Sequence, residues 1–169
     1  MSFQTQPTLK QLTQVFAQPG RVEWIGLRPA KRVPPVAVDY AVLDPASGIQ
    51  GDHYSGRSGT RQVTLLQAEH LPAIAGIIGI ELLDPALLRR NIVVARLNLL
   101  ALKNQTFQLG SALLEYTGPC HPCTRMETTL GKGGYNAMRG HGGITARVIQ
   151  AGEVRLGDTC MRFGPVVQD

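Results

Sequence analysis

Cysteine, aromatics and long apolar runs are all scarce in this 169-residue chain, and each shortage excludes something. Three cysteines cannot close a complete disulfide framework, so the composition predicts reduced thiols and a cytoplasmic setting. Aromatic residues make up only 5%, which leaves a core to be built from aliphatic side chains. The most apolar stretch, Leu71 to Leu83, contains Pro72, two glycines and Glu81. It falls short of the roughly 18 residues a membrane span needs, so no membrane partner is expected. The polar start, Met1 to Lys10, lacks the basic opening and apolar centre of a secretory signal. Net charge is +5 and the pI is near 9.4. Basic residues are nevertheless scattered, with no basic run interleaved with aromatics, which argues against nucleic acid as a partner. The arginines stand near glycines, a pattern suited to a small anionic cofactor or substrate.

What the chain does have is turns. Nineteen Gly and eleven Pro suit short strands better than a helix bundle. A helix is predicted over Pro7 to Ala17, capped by Thr8. Strands are predicted over Val22 to Leu27 and Val36 to Leu43, separated by the cationic, proline-rich turn Arg28 to Pro35. Gly48 to Gly59 reads as a loop, and Arg61 to Leu66 as a strand leading into a helix from Gln67 to about Ile78. Asp84 caps a short helix with Pro85 at its first position, and Ile92 to Ala95 is a compact strand. A hairpin follows at Thr106 to Leu109 and Ala112 to Tyr116. Gly118 to Gly143 is irregular, and the end is again β at Ile144 to Gln150, Glu153 to Leu156 and Thr159 to Phe163. About eight strands with a few short helices, in no regular alternation, predict a mostly β, barrel-like or sandwich-like α+β fold in a single domain spanning 1–169.

The segment Thr117-Gly118-Pro119-Cys120-His121-Pro122-Cys123-Thr124-Arg125-Met126-Glu127 carries the most chemistry. Two prolines stiffen a turn after a strand, and Cys123 to Leu130 reads as a short helix stopped by Gly131. A thiol at a helix N-terminus faces unpaired N–H groups and the positive end of the dipole, a setting that favours thiolate. Cys-x-x-Cys alone has other meanings. A zinc site needs two further ligands and no second pair stands at ligand spacing; a thioredoxin-type dithiol should follow the first strand of a βαβ unit; and two packing cysteines look the same. Cys160, in an alternating strand, reads as structural. In Arg139-Gly140-His141-Gly142-Gly143-Ile144-Thr145-Ala146-Arg147, consecutive glycines allow close backbone approach and the arginines could grip an anion. Asp52 and His53 could be a proton-transferring pair or loop caps, and Arg89-Arg90-Asn91 lies between a helix and a strand.

Taken in order, these segments resemble the MOSC family, the C-terminal domain of molybdenum cofactor sulfurases that also exists as small stand-alone bacterial proteins. The matching pieces are Gly51-Asp52-His53, Arg61 to Leu66, Arg89 to Val94, Gly110 to Cys123 and Gly140 to Val148 with Gly157-Asp158, over about Gly20 to Phe163. The resemblance implies a barrel-like β fold and assigns Pro122-Cys123 as the family's characteristic cysteine. That thiol is expected either to ligate molybdenum of a pterin cofactor, in a reductase of N-hydroxylated compounds, or to carry sulfur as a persulfide for a partner. A sulfur donor or an electron-transfer protein would then be the partner. The catalytic candidates are Cys123, Cys120, His53 and Asp52, with Cys123 the metal ligand; Cys120 could resolve a persulfide or form a disulfide with Cys123. Arg61, Arg90, Asn91, Arg139, His141 and Arg147 are candidates for cofactor contacts. A chain of this length leaves no room for a pyridoxal-phosphate domain, so pyridoxal phosphate is not expected.

Overall fold

The structure is a computed structural model and describes residues 6–54 and 56–165. The opening residues 1–5 of the polar N-terminal stretch therefore lie outside the described residues. In chain order the strands are β1 (Gly20–Leu27), β2 (Val36–Ala37), β3 (Tyr40–Asp44), β4 (Gly48–Ile49), β5 (Val63–Gln67) and β6 (Ile92–Ala95). They continue as β7 (Thr106–Leu109), β8 (Ala112–Pro119), β9 (Ile144–Gln150), β10 (Gly152–Arg155) and β11 (Thr159–Arg162). The α-helices are α1 (Leu9–Leu12), α2 (His70–Ile78), α3 (Thr124–Leu130) and α4 (Gly134–Met138), with 3-10 turns at Pro85–Leu88 and Leu99–Leu102.

Seven strands close on themselves in the order β11-β7-β8-β9-β5-β6-β1, because β1 pairs back onto β11 through Gly20–Cys160 and Arg21–Thr159. A barrel made this way has no unpaired edge. Its β5–β6 pair is parallel and is joined by the crossover that carries α2. A smaller sheet, β10-β3-β4, stands beside it, and β2 pairs antiparallel with the end of β1. The mostly β, barrel-like fold expected from the sequence is the fold observed.

Alternation along the strands makes two cores. Val63, Leu65, Ile92 and Val94 point inward, where they meet Val22, Ile25, Leu114, Ile144 and Phe107. Leu66 and Val93 point outward and are covered by Ile74, Ala75, Leu88, Met126, Ala137 and Met138. Strands β5 and β6 are thus covered on both faces, and of their residues only Gln67 is partly exposed.

Some elements differ from expectation for identifiable reasons. The N-terminal helix is one turn, closed by the Thr8–Gln11 capping box, instead of eleven residues. Leu9, Leu12 and Val15 stay exposed, and a helix with no apolar face to bury does not propagate. The stretch read as one strand from Val36 to Leu43 is two, since β2 pairs with β1 whereas β3 pairs with β10. Helix α4 lies inside the glycine-rich region read as irregular. Glu127 makes it possible by accepting hydrogen bonds from the N–H groups of Gly133 (2.8 Å) and Tyr135 (2.9 Å).

Gly143, with φ 82°, turns the chain into β9, and a Cβ there would stand 1.9 Å from the carbonyl oxygen of Leu65. Because the obstacle is backbone, Gly143→Ala is expected to cost about 3 kcal/mol or more of stability, read by chemical denaturation. A loss under about 1 kcal/mol would show that this junction is not rigid.

Candidate functional site

The candidate residues gather at the end of the barrel where β1 finishes and β5, β6 and β9 begin. There a cleft of about 270 Å³ is lined by Arg28, His53, Tyr54, Gly56, Ser58, Arg61, Thr64, Arg89, Arg90 and Cys120. Four of these are arginines and none is acidic. Successive arginines reach it because Arg89, at the end of the 3-10 turn, takes a left-handed backbone (φ 57°). Arg89 donates one N–H to the carbonyl of Val33, while Arg90 turns inward.

Arg90 is buried and saturated by carbonyls. Its Nε donates to Gly142 O (2.8 Å), Nη1 to Leu88 O (2.9 Å) and Nη2 to Cys120 O (3.3 Å). Among the described residues it has no carboxylate partner. Burial lowers the pKa of the guanidinium, and the charges of Arg61 and Arg28 push the same way, while Cys120 and Cys123 oppose them. Arg89 is shifted in the same direction by burial, Arg125 and Arg28. Both remain cations, so the cleft holds positive charge that only an anion can neutralise.

Asn91 is fully buried and organises the floor. Its Oδ1 accepts from Thr64 N (3.1 Å) and Thr64 Oγ1 (2.8 Å), and its Nδ2 donates to Gly26 O (3.3 Å) and Asp52 Oδ1 (3.1 Å). Asp52 in turn accepts from Arg28 at its backbone N (2.7 Å), Nε (3.0 Å) and Nη2 (2.6 Å). Its carboxylate is engaged in holding Arg28 over the cleft, and Asn91 acts beneath the site. His53 donates its backbone N–H to Arg28 O (2.6 Å), leaving an exposed ring at the rim. The Tyr54 hydroxyl is buried at the cleft without a hydrogen-bond partner among the described residues.

The two thiols of the Cys-x-x-Cys lie in different surroundings. Cys120 follows β8 and is 2% exposed; its N–H donates to Gly143 O (2.8 Å), and its Sγ lies 3.7 Å from Arg61 Nη2. Cys123 is the N-cap of α3, is exposed, and is not among the residues lining the cleft. Cys160 is buried in β11, where desolvation pushes its thiol up to about 12. Among the described residues no three His, Cys, Asp or Glu side chains converge as a metal-holding group, and no helix is long and apolar enough to cross a membrane.

Three further candidates lie away from the cleft. Arg147 is on the outer face of β9, paired with Glu115 across the sheet. Arg139 is exposed and lines a separate groove of about 580 Å³ with His121, Pro122, Tyr135 and Gly140. His141 donates its Nδ1–H to Ala137 O (2.9 Å) and packs edge to face on His70, ring centres 4.9 Å apart. Its neighbours Gly142 and Gly143 supply the carbonyls that hold Arg90 and Cys120. Sequence reasoning singled out neither Arg28 nor Tyr54. The only available signal for Arg28 was its place at the head of the cationic turn that follows β1.

The family model described as MOSC domain matches residues 49–161. Among solved structures, the YuaD protein of Bacillus subtilis superposes with TM-score 0.73 at 21% identity, covering 85% of this chain and 94% of that one. YiiM of Escherichia coli superposes with TM-score 0.65 at 19% identity over 88% of this chain and 72% of that one. YiiM of Geobacillus stearothermophilus gives TM-score 0.69 at 15% identity over 86% and 76%. No curated protein matches the sequence.

The burial of His70, with His141 beside it, is expected to make stability pH-dependent. Burial, then the neighbouring His141, lowers the His70 pKa below its ordinary 6.5, against the pull of Glu69. The fold therefore prefers neutral His70, and its contribution is full above pH 6.5 and is lost as the pH falls below that value. Denaturation of wild type and His70→Gln between pH 7.5 and 5 is expected to show a steeper acid-side decline in wild type, and parallel curves would refute the coupling.

Proposed function

The chain belongs to the MOSC domain family, and on that premise we propose that it is a molybdenum-cofactor-dependent reductase of N-hydroxylated compounds. The observation that carries this reading is a buried arginine without a carboxylate partner among the described residues, Arg90, in a cleft of four arginines with a cysteine in its wall. The residues present fit a phosphate-bearing pterin: guanidinium groups suit phosphate, and a thiol suits a soft metal. The Tyr54 hydroxyl, without a hydrogen-bond partner among the described residues, would offer one more polar contact. Arg61 and Arg28 would grip the phosphate from the rim, the latter aimed by Asp52 and Asn91, while Arg90 supplies the buried charge. A thiol of the Cys120–Cys123 pair would ligate the metal; Cys123 is the family's choice and Cys120 is the one in the cleft wall. His53, exposed at the mouth, would exchange protons with a bound substrate. When bound, the cofactor would supply the two-electron chemistry that removes an N-bound hydroxyl.

One observation favours a second reading. Cys123 is exposed and its side chain makes no capping hydrogen bond, so it is open to a sulfur-donating partner and to holding a persulfide.

The test is elemental analysis of protein purified from a host that makes the pterin cofactor. Near-stoichiometric molybdenum is expected in wild type, lost in whichever of Cys120→Ala and Cys123→Ala removes the ligand. Molybdenum absent from wild type would overturn the reductase, and zinc in its place would mean that the Cys-x-x-Cys is a structural metal site. Separately, Arg61→Ala is expected to weaken binding of inorganic pyrophosphate about tenfold by calorimetry, with a shallower salt dependence. Unchanged affinity would remove the cleft from anion binding.

A further inference from the structure

The two thiols of the Cys-x-x-Cys divide the outside of the molecule from the cleft. Cys123 is exposed at the start of α3, whereas Cys120 is buried in the cleft wall beside Arg61. Both are close enough to act on the same Arg90 guanidinium. Only His121 and Pro122 separate them, so their Cα atoms are held within about 10 Å even if that segment is fully extended. A persulfide lengthens the Cys123 arm by about 2 Å, the length of an S–S bond. Arg90 also donates to the carbonyl of Cys120, which fixes the backbone of the buried thiol.

We propose that these residues form a two-thiol relay in which Cys123 accepts sulfane sulfur from outside and hands it to Cys120, which presents it in the cationic cleft. This rests on the sulfur-carrier reading given above. In the loading step the Cys123 thiolate attacks a terminal sulfur of a polysulfide, and a chain one sulfur shorter leaves with the electron pair. In the transfer step the Cys120 sulfur attacks the outer sulfur of the Cys123 persulfide. The new Cys120–S bond forms as the Cys123 S–S bond breaks, and the electron pair returns to Cys123, which takes up the proton released by Cys120. Neither step needs an added oxidant or reductant. The product persulfide is anionic and gains Arg61 as a neighbour, which favours transfer inward.

The direction of transfer sets this relay apart from a resolving thiol. A resolving Cys120 would attack the inner sulfur, expel hydrosulfide and leave a disulfide.

The experiment treats the full chain with inorganic polysulfide, quenches with an alkylating agent over a time course, and locates added sulfur by peptide mass spectrometry. In wild type one sulfur is expected first on Cys123 and then on Cys120. Cys123→Ser is expected to load Cys120 about tenfold more slowly, and Cys120→Ser to retain the sulfur on Cys123. A Cys120–Cys123 disulfide, sulfur that stays on Cys123 in wild type, or undiminished loading of Cys120 in Cys123→Ser would each overturn the relay while leaving sulfur binding intact. Sulfur on neither thiol would overturn the carrier reading itself. The wild-type time course decides the matter even if a Cys120 variant folds poorly.

Discussion

The amide of Asn91 is the fixed point of the end of the barrel that carries the cleft. It is fully buried, and its side chain bonds to β5 at Thr64, to β1 at Gly26 and to the turn at Asp52. A buried amide left short of partners would cost about 1–3 kcal/mol, so these three segments are held in one arrangement. Arg28 inherits its position from that arrangement through Asp52. The cleft thus sets four like charges together on a neutral scaffold, with one carboxylate aligned behind one of them.

The unbalanced charge is the feature with the most chemical content. Arg90 satisfies its N–H groups with carbonyls, which solve its hydrogen bonding and leave its charge. Gly142 and Gly143 permit this: a Cβ on Gly142 would stand 2.0 Å from Cys120 O, so side chains there would push apart the segments that enclose the guanidinium. The close backbone approach that these consecutive glycines allow is used for packing around an arginine.

Much of this was legible where local chemistry decides the outcome. Asp84 before Pro85 capped a short helical turn as expected, the hairpin from Thr106 formed as β7 and β8, and Cys123 proved to be the N-cap of a helix capped at its end by Gly131. The resemblance carried the barrel. What could not be read were relations fixed by strand register. Arg28 meets Asp52 across 24 residues and Asn91 meets Asp52 across 39. Neither spacing has a local period, so the sequence left Asp52 open between proton transfer and a loop cap and did not show that its carboxylate holds Arg28. Arg147 was indistinguishable in sequence from a cleft arginine because only the pleat of β9, with Ala146 inward, sends it to the outer face.

The pairing of Gly20 with Cys160 that shuts the barrel has a topological corollary. It sets the head of the first barrel strand against the tail of the last, with paired Cα atoms about 5 Å apart. A polypeptide threading through this barrel enters and leaves at adjoining points of one rim. A longer host chain can therefore carry the barrel as an insert by opening a single loop, with no strand displaced and no gap to span.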